Sequence, residues 1–473
     1  MEAEDIQKRI DQVVKKCAEN PEIYSNIIKD FYTKGIDKPS IYLLSLNIMP
    51  NLKAKDIQNK FKENQKIIID YIKNQIKPDQ TIYKILSCIF GSFLGDALGA
   101  FCEFHVSSKD NSKKIFQELP VFGQLQGQIT DDSEMAMSFA YAMMDNPNKE
   151  TIDINYLYFY YGAWVCSDPI DIGNTTIEAF SNFDFRDFHP KKNSFNKVIE
   201  DIFNKNYNSL SNGFLMRKST FIAWVYFRFY GLINDAFNKK DNKSILELYN
   251  KLKELSRIDN QCTHPNSETD VVSSFYCIMA LGALKDLKAN EIIDKLLKLC
   301  NDNYFQKKGK NDEEFNFANF IIHYINKYKL NKFDFWDNFT KGESNDNDCI
   351  TKYIGWYGHA IKLTLYYLIN FEKKNDFTNI MKEICDLGGD TDTNCCIVGG
   401  VIGPLVGLNN FGEYFDKVLN VIPQNRYIFS ICIMLLYVLY LKKSNRNEEL
   451  IKDEHYFLKT ILTLLYDNIE IND

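Results

Sequence analysis

The stretch ILSCIFGSFLGDALG, residues 85–99, decides the fold class because its apolar residues recur with the period of an α-helix. Small residues stand at Gly91, Gly95 and Gly99, four positions apart, and therefore lie on one face of that helix. A face without side chains lets a second helix approach closely. The spacing predicts a tightly packed helix pair, and packing alone accounts for it without a ligand.

The helical spacing continues between residues 81 and 443, and no segment shows the alternating pattern of a half-buried strand. Since βαβ units need strands between their helices, this pattern indicates an all-α domain and argues against doubly wound and barrel folds. The predicted helices are residues 85–98, 134–144, 220–230, 271–284, 315–328, 361–369, 380–387 and 395–406.

Three parts are predicted along the chain. Residues 1–80 show helical patterns punctuated by prolines and form a helical N-terminal extension. Residues 81–443 form the main domain, in which the segment 301–350, rich in Lys, Asn and Asp, resembles a surface insertion around a short helix. Residues 444–473 form a tail whose amphipathic helix, 456–466, packs on the body or on a partner.

The composition is that of a packed globular protein, with 473 residues, 45% hydrophobic and 25% charged. A net charge of -7 without long basic runs disfavours nucleic-acid binding. The start MEAEDIQKRIDQ lacks the features of a secretory signal, and the longest apolar run, 427–441, is shorter than the roughly 20 residues that span a bilayer. The 12 cysteines include no CxxC pair. We therefore expect a cytoplasmic protein with reduced thiols and no membrane contact.

Two short acidic motifs, TDDSE at 130–134 and GGDTDT at 388–393, stand some 250 residues apart. The first, taken alone, is typical of a helix N-terminus, where Thr and Asp cap free N–H groups. The second follows a helical run, and its two glycines permit backbone conformations that other residues avoid. The sequence therefore predicts a shaped loop that can aim Asp390 and Asp392 at one point.

Several carboxylates gathered in one site would raise one another's pKa, and a hard divalent cation with oxygen ligands removes that repulsion. Mg²⁺ is the expected ion, followed by Mn²⁺ or Ca²⁺. Zinc is disfavoured because none of the six histidines lies beside either motif. A DxDx[TV] phosphatase nucleophile is excluded by context, since Asn394 takes the last place of that motif and no strand precedes it.

Three further segments could contact a ligand: Glu103 after the glycine-rich helix, SNGFLMR at 211–217, and CTHP at 262–265. Asn212 and Gly213 form either a plain helix cap or a turn whose N–H groups hold a phosphate. His264 is either a capping or core histidine or a ligand contact. Each segment taken alone leaves both interpretations open.

Taken together and in this order, the motifs GxxLGDALGxxxE, TDDSE, NGxxMR, TH and GGDTDT resemble the motif series of the ADP-ribosylglycohydrolase family. The resemblance covers residues 81 to about 410, or as far as 443. It implies a compact multi-helix bundle with two Mg²⁺ ions in a central cleft that receives ADP-ribose. Two features depart from the family pattern: NSETD at 266–270, whose polarity predicts an altered nucleotide pocket or rim, and the long extension 1–80.

The resemblance also assigns site residues. Glu103 matches an acidic residue that, in serine-directed members, lies at the metals and takes part in catalysis or gating. The implied metal ligands are Thr130, Asp131, Asp132, Asp390, Asp392 and Thr393. The implied substrate-binding residues, around the diphosphate, the distal ribose and the ADP part of the cleft, are Ser209, Asn212, Gly213 and His264.

The implied reaction is hydrolysis at the anomeric carbon that joins ADP-ribose to a protein side chain, an ADP-ribose polymer or an O-acyl group. Glu103 and one of Asp131 or Asp132 are the expected general acid and base. Two other readings stay open. One is a catalytically silent, structural or ADP-ribose-binding component of a larger assembly, contacting a protein partner through residues 1–80 or 444–473. The other is a metal-dependent phosphohydrolase.

Overall fold

The computed structural model describes residues 80–420, with gaps, and residues 437, 438 and 441. The predicted extension 1–80, apart from its last residue, the tail 444–473 and most of the apolar run 427–441 lie outside the described residues. The domain boundaries therefore stay a prediction. The gaps are residues 124–125, 147, 149, 167–168, 185–189, 191–194, 240, 331–332 and 342–348.

The described part of the chain is all-α, as predicted: it contains no strand, and an isolated bridge joins Ser211 to Trp356. Short 3₁₀ helices lie at Asn111–Lys114, Phe195–Lys197, Asn212–Phe214 and Leu408–Asn410. The α-helices are α1 (Gln80–Gly99), α2 (Asp131–Asp145), α3 (Ile154–Val165), α4 (Asn174–Ala179), α5 (Ile199–Asn206), α6 (Lys218–Arg228), α7 (Tyr230–Asn238), α8 (Asn242–Asn260), α9 (Ser267–Leu284), α10 (Ala289–Cys300), α11 (Asn303–Gln306), α12 (Glu313–Tyr328), α13 (Phe335–Thr340), α14 (Tyr357–Ile369), α15 (Phe377–Leu387), α16 (Thr391–Val406) and α17 (Glu413–Asn420).

The predicted helical segments all fall on helices, with one interruption. The segment 220–230 was expected to be continuous, but α6 ends at Arg228 and α7 begins at Tyr230. Between them Phe229 has φ -117° and ψ 31°, outside the helical region. Gly231, two residues after Phe229, is the local signal for this break, and the predicted segment ended just before it.

Helices α1 and α16 form the centre of the fold and touch backbone to backbone. A Cβ atom at Gly95 would collide with the carbonyl group of Cys395, and one at Gly99 would collide with the backbone of Thr391. The Thr391 hydroxyl donates a hydrogen bond of 2.7 Å to the Gly99 carbonyl. The glycine spacing thus serves helix packing, as the sequence analysis predicts.

Further helices enclose this pair. Helix α16 also contacts α9, α14 and α15, while α8 packs on α9, and α2 packs on α3 and α6. Helix α12 contacts α9, α10 and α14, and its Phe317, Ile321 and Ile325 are buried four residues apart. This helix therefore belongs to the core, whereas residues 306–311, in the same predicted insertion, are exposed.

Seven of the described helices begin with an Asp or Asn side chain that accepts hydrogen bonds from the first free N–H groups. Asn266, for example, accepts from the Glu268 N–H at 2.9 Å and so starts α9. Short polar side chains thus cap the N-termini of these helices. The seven capping residues are Asp153, Asp241, Asn266, Asp302, Asp312, Asp334 and Asp376.

Among the described helices, α1 has the length and apolar composition of a membrane span, but 94% of its most apolar 18 residues is buried inside the protein. These properties also fit a helix in the centre of a protein core. The ten cysteines in the described part are free thiols, and nine of them are buried.

A buried ion cluster joins the start of α6 to the end of α8. Arg217 and Lys218 both pair with the Asp259 carboxylate, and all three side chains are fully buried. The Tyr161 hydroxyl donates to Asp259 at 2.8 Å, and the Arg217 guanidinium lies 4.6 Å from the Tyr161 ring centroid. Lys218 also donates to the Asn260 side chain at 2.9 Å. Each buried charge therefore has a partner, which burial requires.

We predict that Gly95→Ala lowers the free energy of unfolding by about 2 kcal/mol, because overpacking against a backbone outweighs the gain in helix propensity. Gly231→Ala is the matched control, since nothing lies within 4 Å of a Cβ at that helical position. We expect the control to gain about 0.5–1 kcal/mol. Urea denaturation measures both changes, and equal stabilities of the two variants would contradict the backbone contact.

We predict that Asp259→Asn destabilises the fold by about 3–5 kcal/mol at pH 7, because it leaves two buried cations without a counter-charge. The control Asp235→Asn removes an exposed pair with Lys239 and should cost less than about 1 kcal/mol.

The Asp259 contribution should also depend on pH. Burial acts to raise the pKa of Asp259, but Arg217 and Lys218 outweigh it and hold the pKa below its usual value. The stabilisation is therefore present above the unfolded pKa of about 4 and is lost as the pH falls through the lower folded value. Urea titrations at successively lower pH should show the gap between wild type and Asp259→Asn narrowing. A constant gap would contradict the assignment.

Candidate active site

The first acidic motif lies at the start of α2, where a carboxylate from α1 fixes its backbone. Asp96 is fully buried and accepts from the Thr130 N–H at 3.0 Å, from the Thr130 hydroxyl at 2.9 Å and from the Ser133 N–H at 3.2 Å. The Ser133 hydroxyl also donates to Asp96. Burial raises the pKa of Asp96 to about 7, and these hydrogen bonds oppose the rise. Asp96 therefore takes the place of a local cap and orients the first turn of α2.

The second acidic motif is held by two glycines with positive φ, 71° at Gly388 and 78° at Gly389. The Gly389 N–H donates to the His105 carbonyl at 3.0 Å, and the Phe104 N–H donates to the Gly389 carbonyl at 2.7 Å. A Cβ at Gly389 would lie 2.7 Å from the Ile350 carbonyl oxygen. Only glycine fits this loop, and the paired bonds bring it beside the residue after Glu103.

The two motifs and Glu103 meet in one buried acidic cluster. Glu103, Asp171 and Asp392 each offer a carboxylate oxygen, and these oxygens lie within 4.8 Å of one another. The predicted metal ligands, which come from the starts of α2 and α16, are all buried: Thr130, Asp131, Asp132, Asp390, Asp392 and Thr393.

The electrostatics of the cluster fit a hard divalent cation. Burial, and then repulsion from neighbouring carboxylates, raises the pKa of Asp131, Asp132 and Asp392 well above the usual value. The same causes raise the pKa of Glu103 to about 10. Glu103 Oε2 and Asp132 Oδ1 are buried without a hydrogen-bond partner among the described residues. A set of oxygen donors with excess negative charge and unused lone pairs is what Mg²⁺ and similar ions bind.

Sequence reasoning missed Asp171, which lies in the loop between α3 and α4. Its carboxylate accepts a hydrogen bond from the protonated carboxyl of Asp131, and Asp131 also accepts from the Gly173 N–H. Burial, reinforced by the charge of Asp390, raises the pKa of Asp171 to about 6. No motif surrounds this residue. The available signal was an acidic residue between two apolar ones, Ile170-Asp171-Ile172, in a connecting loop.

The predicted substrate-binding residues lie on the loop before α6 and on the turn after α8. Asn212 donates from its side chain to Asp390 at 2.8 Å, and this bond joins residues 209–213, the predicted substrate loop, to the acidic cluster. His264 Nε2 lies 2.7 Å from the Ser211 hydroxyl, and Ser209 lies 3.3 Å from that same hydroxyl. A Cβ at Gly213 would lie 3.2 Å from the His264 ring. The structure thus brings all four predicted residues together.

The polar segment NSETD, residues 266–270, has a structural explanation. Asn266 caps α9, Glu268 accepts a hydrogen bond from the Tyr357 hydroxyl, and Asp270 accepts from the Asn260 side chain at 2.9 Å. Within the described residues these groups are engaged with the protein itself. Their polarity therefore starts a helix and ties it to its neighbours.

Comparison with known proteins gives a consistent picture. A profile of the ADP-ribosylglycohydrolase family matches residues 77–427. The chain is 28% identical over 354 residues to a protein of Acanthamoeba polyphaga mimivirus provisionally named ADP-ribosyl glycohydrolase L543, an alignment that spans 72% of this chain and 92% of that protein.

Two further similarities are more limited. The ADP-ribosyl-(dinitrogen reductase) glycohydrolase of Rhodospirillum rubrum is 32% identical over 96 residues, which span 20% of this chain and 32% of that protein. A solved structure described as an ADP-ribosylglycohydrolase-related protein complex aligns over 76% of this chain and 99% of the chain in that structure, with 15% identity and a TM-score of 0.48. On the family profile, which spans most of its length, the chain belongs to the ADP-ribosylglycohydrolase family of glycosidic-bond hydrolases.

Proposed function

We propose that this chain is a magnesium-dependent enzyme that hydrolyses the bond between ADP-ribose and a modified protein side chain, an ADP-ribose polymer or an O-acyl group. The observation that carries the proposal is the buried acidic cluster, with its unpartnered oxygens on Glu103 and Asp132. Such a cluster destabilises a fold unless a bound cation compensates its charge, because burial and like charges both oppose ionisation.

The residues that would hold the metal come from both motifs: Thr130, Asp131 and Asp132 at α2, and Asp390, Asp392 and Thr393 at α16. A bound divalent cation supplies positive charge and a Lewis acid that can orient sugar hydroxyls and lower the pKa of water. Mg²⁺ is preferred because the donors are hard oxygens from short side chains on fixed helix starts.

Proton transfer falls to the chain's own carboxyls. Glu103 Oε2 is the atom best placed to give or accept a proton, since it is buried and no described group hydrogen-bonds to it. Asp131 or Asp132 is its counterpart in the acid and base pair, as expected for glycoside hydrolysis with two carboxyls. Asp171 joins this set because it hydrogen-bonds with Asp131.

The diphosphate of ADP-ribose is proposed to bind where polar groups gather beside the cluster. The Ser209 and Ser211 hydroxyls are half-buried on the substrate loop, next to the side chain of Asn212. His264 backs this loop, and its ring contacts Phe214 edge to face at 5.6 Å. Hydroxyl donors held over a rigid loop suit phosphate oxygens and ribose hydroxyls.

The test is release of ADP-ribose from serine- and arginine-modified peptides by the purified full-length chain, with Mg²⁺ or with excess chelator. Metal-dependent release from one peptide class would support the proposal and identify the acceptor. Tight ADP-ribose binding without release from peptides, polymer or O-acyl-ADP-ribose would point to a binding component of an assembly. Release of inorganic phosphate instead would indicate a phosphohydrolase.

We predict that the double substitution Asp390→Asn, Asp392→Asn abolishes Mg²⁺ binding and hydrolysis while the helical content stays nearly unchanged. The reason is that these carboxylates serve the site, and the loop shape depends on Gly388 and Gly389. Calorimetric titration with Mg²⁺, peptide hydrolysis and far-UV circular dichroism measure the three properties. Asp294→Asn, at an exposed position on α10, is the control for the loss of a carboxylate outside the site. An unchanged rate in the double variant would remove the site assignment.

We predict that Glu103→Gln lowers kcat by roughly 10²–10⁴-fold, the range for loss of a proton-transferring group. The amide keeps the size of the side chain, so binding of ADP-ribose should change little. Steady-state kinetics and ADP-ribose titration separate the two effects. A variant with normal kcat would exclude Glu103 from proton transfer.

A further inference from the structure

A buried chain of hydrogen bonds runs from Arg217 to the substrate loop. Arg217 Nη2 donates to the Thr263 hydroxyl at 2.8 Å and to the Asp259 carbonyl at 3.2 Å. Guanidinium nitrogens only donate, so the Thr263 oxygen is the acceptor in the first of these bonds. Arg217 and Thr263 are both 0% exposed, so bulk water does not compete for these hydrogen bonds.

The contact between Thr263 and His264 determines which ring nitrogen of His264 carries the proton. Thr263 Oγ1 lies 2.8 Å from His264 Nδ1. Because its oxygen already accepts from Arg217, the Thr263 proton is free to donate, and within the described residues the remaining partner of this hydroxyl is Nδ1. If the ring donated instead, a buried hydroxyl proton would lack an acceptor. The arrangement therefore puts the lone pair on Nδ1 and the ring proton on Nε2.

The Nε2 proton of His264 points to Ser211 on the predicted substrate loop. His264 Nε2 lies 2.7 Å from the Ser211 oxygen, so an Nε2–H donates to it. Burial, with Arg217 and Lys218 nearby and Asp259 opposing, lowers the pKa of His264 to about 3. The ring thus carries a single proton at neutral pH. Once Ser211 accepts from the ring, its own proton must point to another acceptor.

That proton can reach a neighbouring hydroxyl or an incoming ligand. The Ser211 oxygen lies 3.3 Å from Ser209 Oγ and 3.4 Å from Thr175 Oγ1, and those two hydroxyls lie 2.9 Å from each other. The 2.9 Å pair is the better hydrogen bond. The longer contacts leave Ser211, which is half-buried, as the donor best placed for an anionic oxygen.

We propose that Thr263, oriented by Arg217, is a positioning residue that holds His264 as the Nε2–H tautomer, so that Ser211 presents its proton to a phosphate oxygen of the substrate. The inference rests on the proposed function for its ligand. It makes Thr263 a determinant of anion recognition, although Thr263 is buried behind His264.

The first test is spectroscopic and needs neither metal nor substrate. Protein labelled with ¹⁵N-histidine gives two-bond proton–nitrogen correlations that distinguish the tautomers, and a His264→Asn sample assigns the ring. We expect an Nε2–H pattern that does not titrate between pH 5 and 8, because the folded pKa lies far below that range. An Nδ1–H pattern, or titration within that range, would overturn the proposal.

The second test compares Thr263→Val with Thr263→Ser by calorimetric titration with ADP-ribose. Valine keeps the shape and removes the hydroxyl, so we expect a Kd about tenfold higher, the effect of one hydrogen bond to a charged group. Serine restores the hydroxyl and should restore wild-type affinity. Thermal unfolding of both variants checks that each is folded.

A double-mutant cycle separates positioning from general damage. If Thr263 acts through Ser211, then Thr263→Val should weaken binding no further in a Ser211→Ala background. Additive losses, or equal affinities of the Val and Ser variants, would overturn the proposal. Absence of ADP-ribose binding by the wild type would contradict the proposed function instead, and the ring spectrum would still decide the tautomer.

Discussion

Glycine-to-backbone contact between α1 and α16 determines where the reactive groups of this protein lie. Helix α1 ends at Gly99 where α16 begins at Thr391, and their backbones touch at that point. The chain leaving α1 therefore carries Glu103 directly to Asp392. One turn before its end, α1 also presents Asp96, which orients the first turn of α2. A single helix crossing thus assembles groups from three distant parts of the sequence.

The crossing concentrates negative charge where water is scarce. Arg217 and Lys218, the buried cations at the start of α6, pair with Asp259 and so do not neutralise the acidic cluster. The cluster instead keeps unpartnered oxygens and raised pKa values. The unpaired carboxylates lower the free energy of unfolding. A cation that binds only the folded state would restore it, because such binding stabilises that state.

Much of the fold could be predicted from the sequence, because helical periodicity and the glycine spacing are local signals. The break at Phe229 was missed, although Gly231 lies two residues beyond it and lowers the helix propensity there. The helix within residues 301–350 was predicted, but its Lys- and Asn-rich flanks gave no sign that α12 packs in the core. The polarity of residues 266–270, which predicts an altered nucleotide pocket or rim, also has a local explanation in helix capping by Asn266 and in internal hydrogen bonds.

The residues of the site could be predicted from the sequence more readily than their arrangement in space. Each acidic motif marks itself by its residues, but their meeting across some 250 residues followed only from a family resemblance, and spacing alone could not show it. Asp171 escaped because a single acid in a connecting loop has no signature. The link from Arg217 through Thr263 to His264 is equally invisible in sequence, since it depends on which lone pairs are already occupied.

The glycine contact also limits how this scaffold can diversify. A side chain added at Gly91, Gly95 or Gly99 would push the two helices apart and shift the acidic cluster before it altered any surface. Exposed connecting segments such as residues 307–311 lie outside this contact and can vary in length or sequence. Sequence change can therefore accumulate in such segments while the position of the acidic cluster stays unchanged.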